Sequence, residues 1–180
     1  AKIYIDSNEN VDKFLAENEH YDALVVGAYC ETRDPSFAML AYQRGNCHEQ
    51  IIAVCIKNGM WKPLAKHLVA EKDAEMWATV LNDKSFDPRY LVEAVRRDAL
   101  AESKVQEEVV ATVRAFMAAD MTHEMTTILD QVVMSGQFQK NKYLENLLVF
   151  SAIKARPDKV MEYVNRLECY DPVEIGAAAV

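Results

Sequence analysis

Residues 33–58 read RDPSFAMLAYQRGNCHEQIIAVCIKN, and a helix, a turn and a second helix can be read directly from them. Asp34 can cap a helix through its side-chain oxygen, and Pro35 falls at the first helical position, where its missing N–H costs nothing. Phe37, Leu40 and Ala41 then recur at helical spacing. Gly45 is placed to end the helix in a left-handed conformation. A second apolar stripe follows at Ile51, Ile52, Cys55 and Ile56, and Asn58-Gly59 stops it. Neither helix can bury its stripe alone, so each needs a neighbour.

The same grammar runs outward in both directions. Towards the N-terminus, Asn10 can cap a short helix carrying Val11, Phe14 and Leu15. A helix over 21–31 places Leu24, Val25 and Ala28 on one side. Towards the C-terminus, residues 60–72 put Trp61, Leu64, Ala65 and Leu68 on one stripe, with Pro63 tolerated in the first turn. Asp73 caps the next helix, whose buried set is Met76, Trp77, Val80 and Leu81. Asp87-Pro88 repeats the start signal of Asp34-Pro35 and opens a helix with Leu91, Val92, Val95 and Ala99.

Further stripes are Val105, Val109, Val113 and Phe116, ending near Asp120, and then Met125, Ile128, Leu129, Val132 and Val133, stopped by Ser135-Gly136. Leu144, Leu147, Leu148 and Ser151 to Ile153 form another. Pro157 opens a helix with Val160, Met161, Val164 and Leu167, and Asp171-Pro172 opens a last one running to the end of the sequence. About a dozen helices of ~10–16 residues, joined by turns of ~2–6, are the pattern of successive helix hairpins. No stretch sustains period-two alternation. The expected fold is all-α, with hairpins recurring at the ~25–35-residue period of an α-solenoid. With no long linker and no composition shift, residues 1–180 read as one structural unit.

Composition excludes several function classes. Hydrophobic residues make up 51%, too many for intrinsic disorder. No apolar run is long enough to span a bilayer. The N-terminus AKIYIDSNEN lacks the charged-then-apolar layout of a signal peptide and reads as a piece cut from something longer. Net charge is −8, so nucleic acid is not an expected partner, because phosphate contacts need clustered cations. Anionic lipid is disfavoured for the same reason. Cys30, Cys47, Cys55 and Cys169 form no CxxC pair, and the first three, in or beside helical segments, read as reduced, mostly buried small hydrophobes. With no N-x-S/T sequon present, a reducing cytosolic environment fits.

The sequence carries no recognisable catalytic constellation, so no catalytic, cofactor-binding or metal-ligating residue is predicted. His48-Glu49 and His123-Glu124 begin like a zincin motif, but neither has a second His four residues after the first. Glu107-Glu108 sits in the first turn of a helix, where the dipole favours it. The five glycines are isolated, so no phosphate loop is formed. Trp61 and Trp77 read as core anchors between helices, as do Met39, Met76, Met125 and Met161. Charge runs such as Arg96-Arg97-Asp98 and Glu107-Glu108 are solvated faces, or register-setting contacts if the chain assembles laterally.

Four ungapped blocks also carry a resemblance. YDALVVGAYCETRDPSFAMLAYQRGNCHEQIIAVC (21–55), KPLAKHLVAEKDAEMWATVL (62–81), VRAFMAADM (113–121) and LENLLVFSAIKARPDKVMEYVNRLECYDPVEI (144–175) closely resemble, in the same order, a stretch of the clathrin heavy-chain leg. The departures are NDKSFDPRYLVEAVRRDALAES, SGQFQKNKY and the final YDPVEIGAAAV, mostly where helices join.

The resemblance implies a right-handed superhelix of short α-helical hairpins, within the distal leg approaching the knee. It implies a structural role without enzymatic activity or cofactor, in a lattice of three-legged assemblies around budding vesicles. The implied partners are other heavy-chain legs. Light chain and adaptors would bind outside this segment, on the cytosolic face of coated pits and vesicles. The competing reading is a clathrin-repeat interaction module of a vacuolar-sorting or tethering protein, which would offer a groove to a defined helix or peptide.

Overall fold

A computed structural model describes residues 1–7, 10–101, 103–134, 138 and 140–178. Among these residues every regular element is helical. Thirteen α-helices follow one another: α1 Lys2–Ser7, α2 Val11–Glu17, α3 Ala23–Glu31, α4 Pro35–Arg44, α5 His48–Lys57, α6 Trp61–Glu71, α7 Ala74–Leu81, α8 Pro88–Ala94, α9 Gln106–Ala118, α10 Thr122–Met134, α11 Lys142–Ala155, α12 Val160–Arg166 and α13 Pro172–Ala178. Contacts gather into two compact units, residues 1–64 and 65–180.

In the first unit α4 packs on α2, α3 and α5. Its start is as read: the Asp34 carboxylate accepts from the Ser36 N–H at 2.8 Å, with Pro35 at the head of the helix. Its inward face is Ala38, Met39, Ala41 and Tyr42, so Phe37 and Leu40 of the expected stripe flank the core and are only half-buried. Tyr42 is 2% exposed, and its hydroxyl donates to Glu31 at 2.6 Å. Two glycines let α3 and α4 close up. A Cβ on Gly27 would stand 2.2 Å from the Tyr42 ring, and one on Gly45 would stand 2.3 Å from the Ala23 Cβ.

Helix α3 overturns one expectation. Leu24 and Val25 are 51% and 54% exposed, Ala28 is exposed too, and the buried residues are Val26, Gly27 and Cys30. ALVVGAYCE is apolar on every side, so periodicity alone cannot say which side turns inward. Asn10 also behaves differently. It precedes α2 in a left-handed conformation, φ 50°, and its side chain makes no capping bond. The N-terminal segment forms α1, which was not anticipated.

Three helices end by one device. After α4, the Cys47 N–H bonds the Tyr42 carbonyl and the Asn46 N–H bonds Gln43. After α5, Met60 bonds Cys55 and Gly59 bonds Ile56. After α9, Met121 bonds Phe116 and Asp120 bonds Met117. Each is the paired closure of a Schellman motif, which satisfies two of the orphan carbonyls at a helix end. The left-handed residues are Asn46 (φ 52°), Gly59 (φ 65°) and Asp120 (φ 57°). Gly45, expected to fill that role, has φ −92°; its missing Cβ serves the approach to Ala23 instead.

In the second unit α7 packs on α9, α9 on α10, α10 on α11, and α11 on α12 and α13. The Asp73 carboxylate caps α7 by accepting from the N–H groups of Glu75 and Met76. Val109, Val113 and Phe116 on α9 are fully buried, as are Ile128 and Leu129 on α10. Val105 is 41% exposed and lies before the helix, not on its inner stripe. Helix α8 begins at Asp87-Pro88 as read, but from Val95 to Ala99 the chain widens into a π-helical turn. The Leu100 N–H bonds the Val95 carbonyl at 2.9 Å, five residues back. Pro157 opens a single 3-10 turn over Pro157–Lys159, and α12 starts only at Val160. Tyr163 is the buried residue of α12, while Met161 is 66% exposed. The expected Ser135-Gly136 stop lies outside the described residues.

Candidate functional site

Trp77, read as a core anchor, is fully buried, and its ring lies 5.7 Å from that of Phe116. It joins α7 to α9 by a tilted aromatic contact, the geometry favoured by the ring quadrupoles. Its Nε1–H is buried without an acceptor. Trp61 is half-buried at the head of α6. Among the methionines Met39 and Met125 are buried and Met76 is half-buried, leaving Met161 as the departure.

The charge runs are held by local partners. The guanidinium of Arg96 grips the Glu93 carboxylate at 2.8 Å, and Arg97 stands 3.9 Å from the same group. Both arginines sit on the π-helical turn. A widened turn leaves carbonyls poorly matched to the α-helical ladder, and the Arg96 carbonyl accepts from Gln131 Nε2 of α10 at 3.1 Å. The side-chain hydroxyl of Ser103 donates to Glu108, while Glu107 is exposed at the start of α9.

Burial sets the state of several interior ionisable groups. Burial pushes the Cys55 thiol up to about 12, so it stays protonated and unreactive at neutral pH. His67 is 8% exposed, with Glu71 one turn on at 4.0 Å. His123 faces the Arg156 guanidinium at 3.3 Å. Tyr163 is 1% exposed, and no acceptor stands in hydrogen-bond geometry to its hydroxyl. Burial raises its pKa to about 12, and the neighbouring Asp130 carboxylate adds to the effect.

The densest buried polar arrangement was not read from the sequence. Glu145 and Asn146, on the inner face of α11, are 2% and 8% exposed. The Glu145 carboxylate accepts from the backbone N–H of Lys140 at 3.1 Å and of Cys169 at 2.8 Å. Asn146 Oδ1 accepts from the N–H of Asp171 at 2.7 Å. Salt bridges Lys140–Glu168 and Lys142–Asp171, at 3.1 and 3.0 Å, lie outside this clasp. Two adjacent side chains thus tie the loop after α12 to α11, and one of them also ties the turn before α11. A carboxylate spent on backbone donors acts as a rivet, because charge-assisted bonds are the stronger ones. The available signal was LENLL itself, where Glu145 and Asn146 interrupt a leucine stripe.

A family described as a region in clathrin and VPS matches residues 1–84 and 100–179. The unmatched segment between them holds α8 and the π-helical turn. The clathrin heavy chain of Drosophila melanogaster is 45% identical over 181 residues, covering 100% of this chain and 11% of that protein. Clathrin heavy chain 2 of Homo sapiens and clathrin heavy chain 1 of Arabidopsis thaliana show the same 45% and the same coverage. The chain thus spans about 11% of the length of the curated relatives it matches.

Proposed function

The chain belongs to the clathrin family, whose repeat is an all-α solenoid of helix hairpins, and from that premise we propose that it is a scaffold segment of a heavy-chain leg in a vesicle coat. The observation that carries this reading is the match to heavy chains along the whole sequence, laid on helices whose stripes are spent on packing against neighbours. In such a protein stiffness comes from continuous core packing, and curvature from a small rotation per repeat. The partners are other heavy-chain legs, met through weak contacts that add by multivalency along a lattice. A mixed-charge, net acidic surface suits contacts that must also come apart. Light chain and adaptors bind elsewhere on the full-length protein, whose place is the cytosolic face of coated pits and vesicles. The role read for the segment is structural rather than enzymatic, and it is supported by a buried Glu145 carboxylate spent on backbone donors and a Cys55 thiol held protonated. Identity to heavy chains over 100% of the sequence favours the coat over a sorting or tethering module.

The test is a chimaera. This sequence replaces its counterpart in a full-length heavy chain from one of the relatives, and cage assembly is followed by light scattering and electron microscopy. Closed polyhedral cages are the expected result. A chimaera that still trimerises but yields no cages would refute the scaffold reading.

A further inference from the structure

Helices α7 and α9 leave an open trough between them that the coat reading does not use. One concavity, about 390 Å³, runs between Ala74 and Ala78 of α7 and the alanines from Ala111 to Ala118 of α9, with Ala119 just beyond its end. A second, about 480 Å³, continues along α9 to Gln106 and Tyr143. Lys72, Ala111 and Arg114 line both, so the two concavities adjoin along α9. The thirteen residues of α9 along the trough give a length of ~20 Å at 1.5 Å per residue.

Two independent features define what this trough can hold. The first is relief. Ala74, Ala78 and Ala118 are exposed, and a wall that ends in methyl groups lets a third helix approach to the ~8 Å lower limit of interaxial distance. A small molecule would find little to enclose it there, whereas a helix gains contact along the whole length. The second feature is charge. Among the described residues neither Lys72 nor Arg114 has a carboxylate within 4.0 Å, while Arg33, Arg44, Arg89, Arg96 and Arg166 each hold one. Glu107 is the one acid on the lining, at the Gln106 end. The middle of this trough thus carries two cations in a chain of net charge −8.

We propose that the α7–α9 trough is a docking groove for an amphipathic helix of a partner protein, with a small apolar face against the alanines and carboxylates set against Lys72 and Arg114. Complementary charges steer such an encounter and select the partner, and the apolar face supplies the contact. This function is additional to lateral leg contacts and does not depend on them.

The probe is a fluorescein-labelled helical peptide of about 16 residues, enough for ~24 Å of helix, with alanine and leucine on one face and glutamate on the flanks. Its counterpart carries lysine in place of glutamate. Anisotropy titrations against the chain should show the acidic peptide binding at least ~10-fold tighter than the basic one, with affinity falling as salt rises. The double variant Lys72→Glu/Arg114→Glu should reverse that preference. Ala78→Gln/Ala118→Gln, two exposed helix positions that tolerate glutamine, should weaken acidic-peptide binding by at least ~10-fold with unchanged far-UV circular dichroism. The proposal is overturned if the acidic peptide does not bind at millimolar concentration, or if the charge reversal leaves the preference as it was. It is also overturned if the glutamine variant abolishes self-association of the chain instead, which would assign the trough to a second copy.

Discussion

Replacing Trp77 by alanine tests whether the packed α7–α9 pair is held by its core or by its ends. A buried indole removes ~150–250 Å² from water, worth ~4–6 kcal/mol at ~25 cal/mol per Å². That sum is an upper bound, because the unfolded chain already hides part of this surface. Truncation also leaves a cavity and deletes the contact with Phe116, a pair worth ~0.5–1.5 kcal/mol beyond its area. One effect opposes these. Nε1–H is buried without an acceptor, a burden of ~1–3 kcal/mol that leaves with the ring. The net expectation is ~3–5 kcal/mol, within the range of aromatic-to-alanine core substitutions.

Trp77→Phe should cost only ~1–2 kcal/mol, because it keeps a ring against Phe116 and discards the unpaired N–H. Urea denaturation followed by far-UV circular dichroism measures the loss. Amide exchange along α7 and α9 tests whether it is local, since a repeat array need not unfold in one step. Trp61 remains as the single tryptophan of Trp77→Ala and, excited selectively at the red edge, reports on the first unit. A loss below ~1 kcal/mol for Trp77→Ala, or a Trp77→Phe variant as damaged as the alanine, would refute the assignment of this ring as the anchor of the α7–α9 pair.

Three further outcomes are expected. Gly27→Ala should destabilise the first unit by ~1–3 kcal/mol in urea despite alanine's better helix propensity, because its Cβ would meet a Tyr42 ring held by Glu31; a gain in stability would mean that α3 and α4 can part at no cost. Glu145→Gln should cost ~2–3 kcal/mol and speed amide exchange at Cys169, since the amide's NH₂ would face a backbone N–H; unchanged exchange there would show that the clasp is not what holds the loop. Tyr163 has its pKa raised to about 12, so the folded state binds its proton more tightly than the unfolded chain, whose tyrosines titrate near ~10. Its contribution is complete below pH ~10 and is lost as pH rises to ~12, at up to ~1.4 kcal/mol per pH unit. Absorbance at the tyrosinate band should therefore rise together with loss of helical circular dichroism, and Tyr163→Phe should flatten the slope. Ionisation of Tyr163 at pH ~10 in a chain that stays folded would contradict this.

Much of the fold was legible because helix starts are local chemistry. An aspartate followed by proline, as at 34–35 and 87–88, specifies a cap within three residues, and the structure forms each cap with its own neighbours. The stripes of α7 and α10 were legible for a related reason: apolar residues lie on one side and polar ones on the other. Helix α3 resisted because its sequence has no polar side, and α12 because its local pattern does not say that Tyr163 rather than Met161 turns inward. The Schellman closures were half legible. Asn58-Gly59 announced its left-handed residue, while Asp120 carries no such signal in its type alone.

The order of helices, their starts and most of their inward faces were therefore determined by the sequence itself, through capping groups, proline and the period of apolar residues. Tertiary structure alone decided which face of α3 turns inward, where the α8 ladder widens into a π-helical turn, and that Glu145 and Asn146 spend their polarity on backbone N–H groups 24 and 25 residues ahead. It also decided that alanines of two helices should face one another across a trough. The physical reason is common to all four. Capping and periodicity act over one turn of chain, whereas burial of a particular side chain depends on which distant atoms can satisfy it.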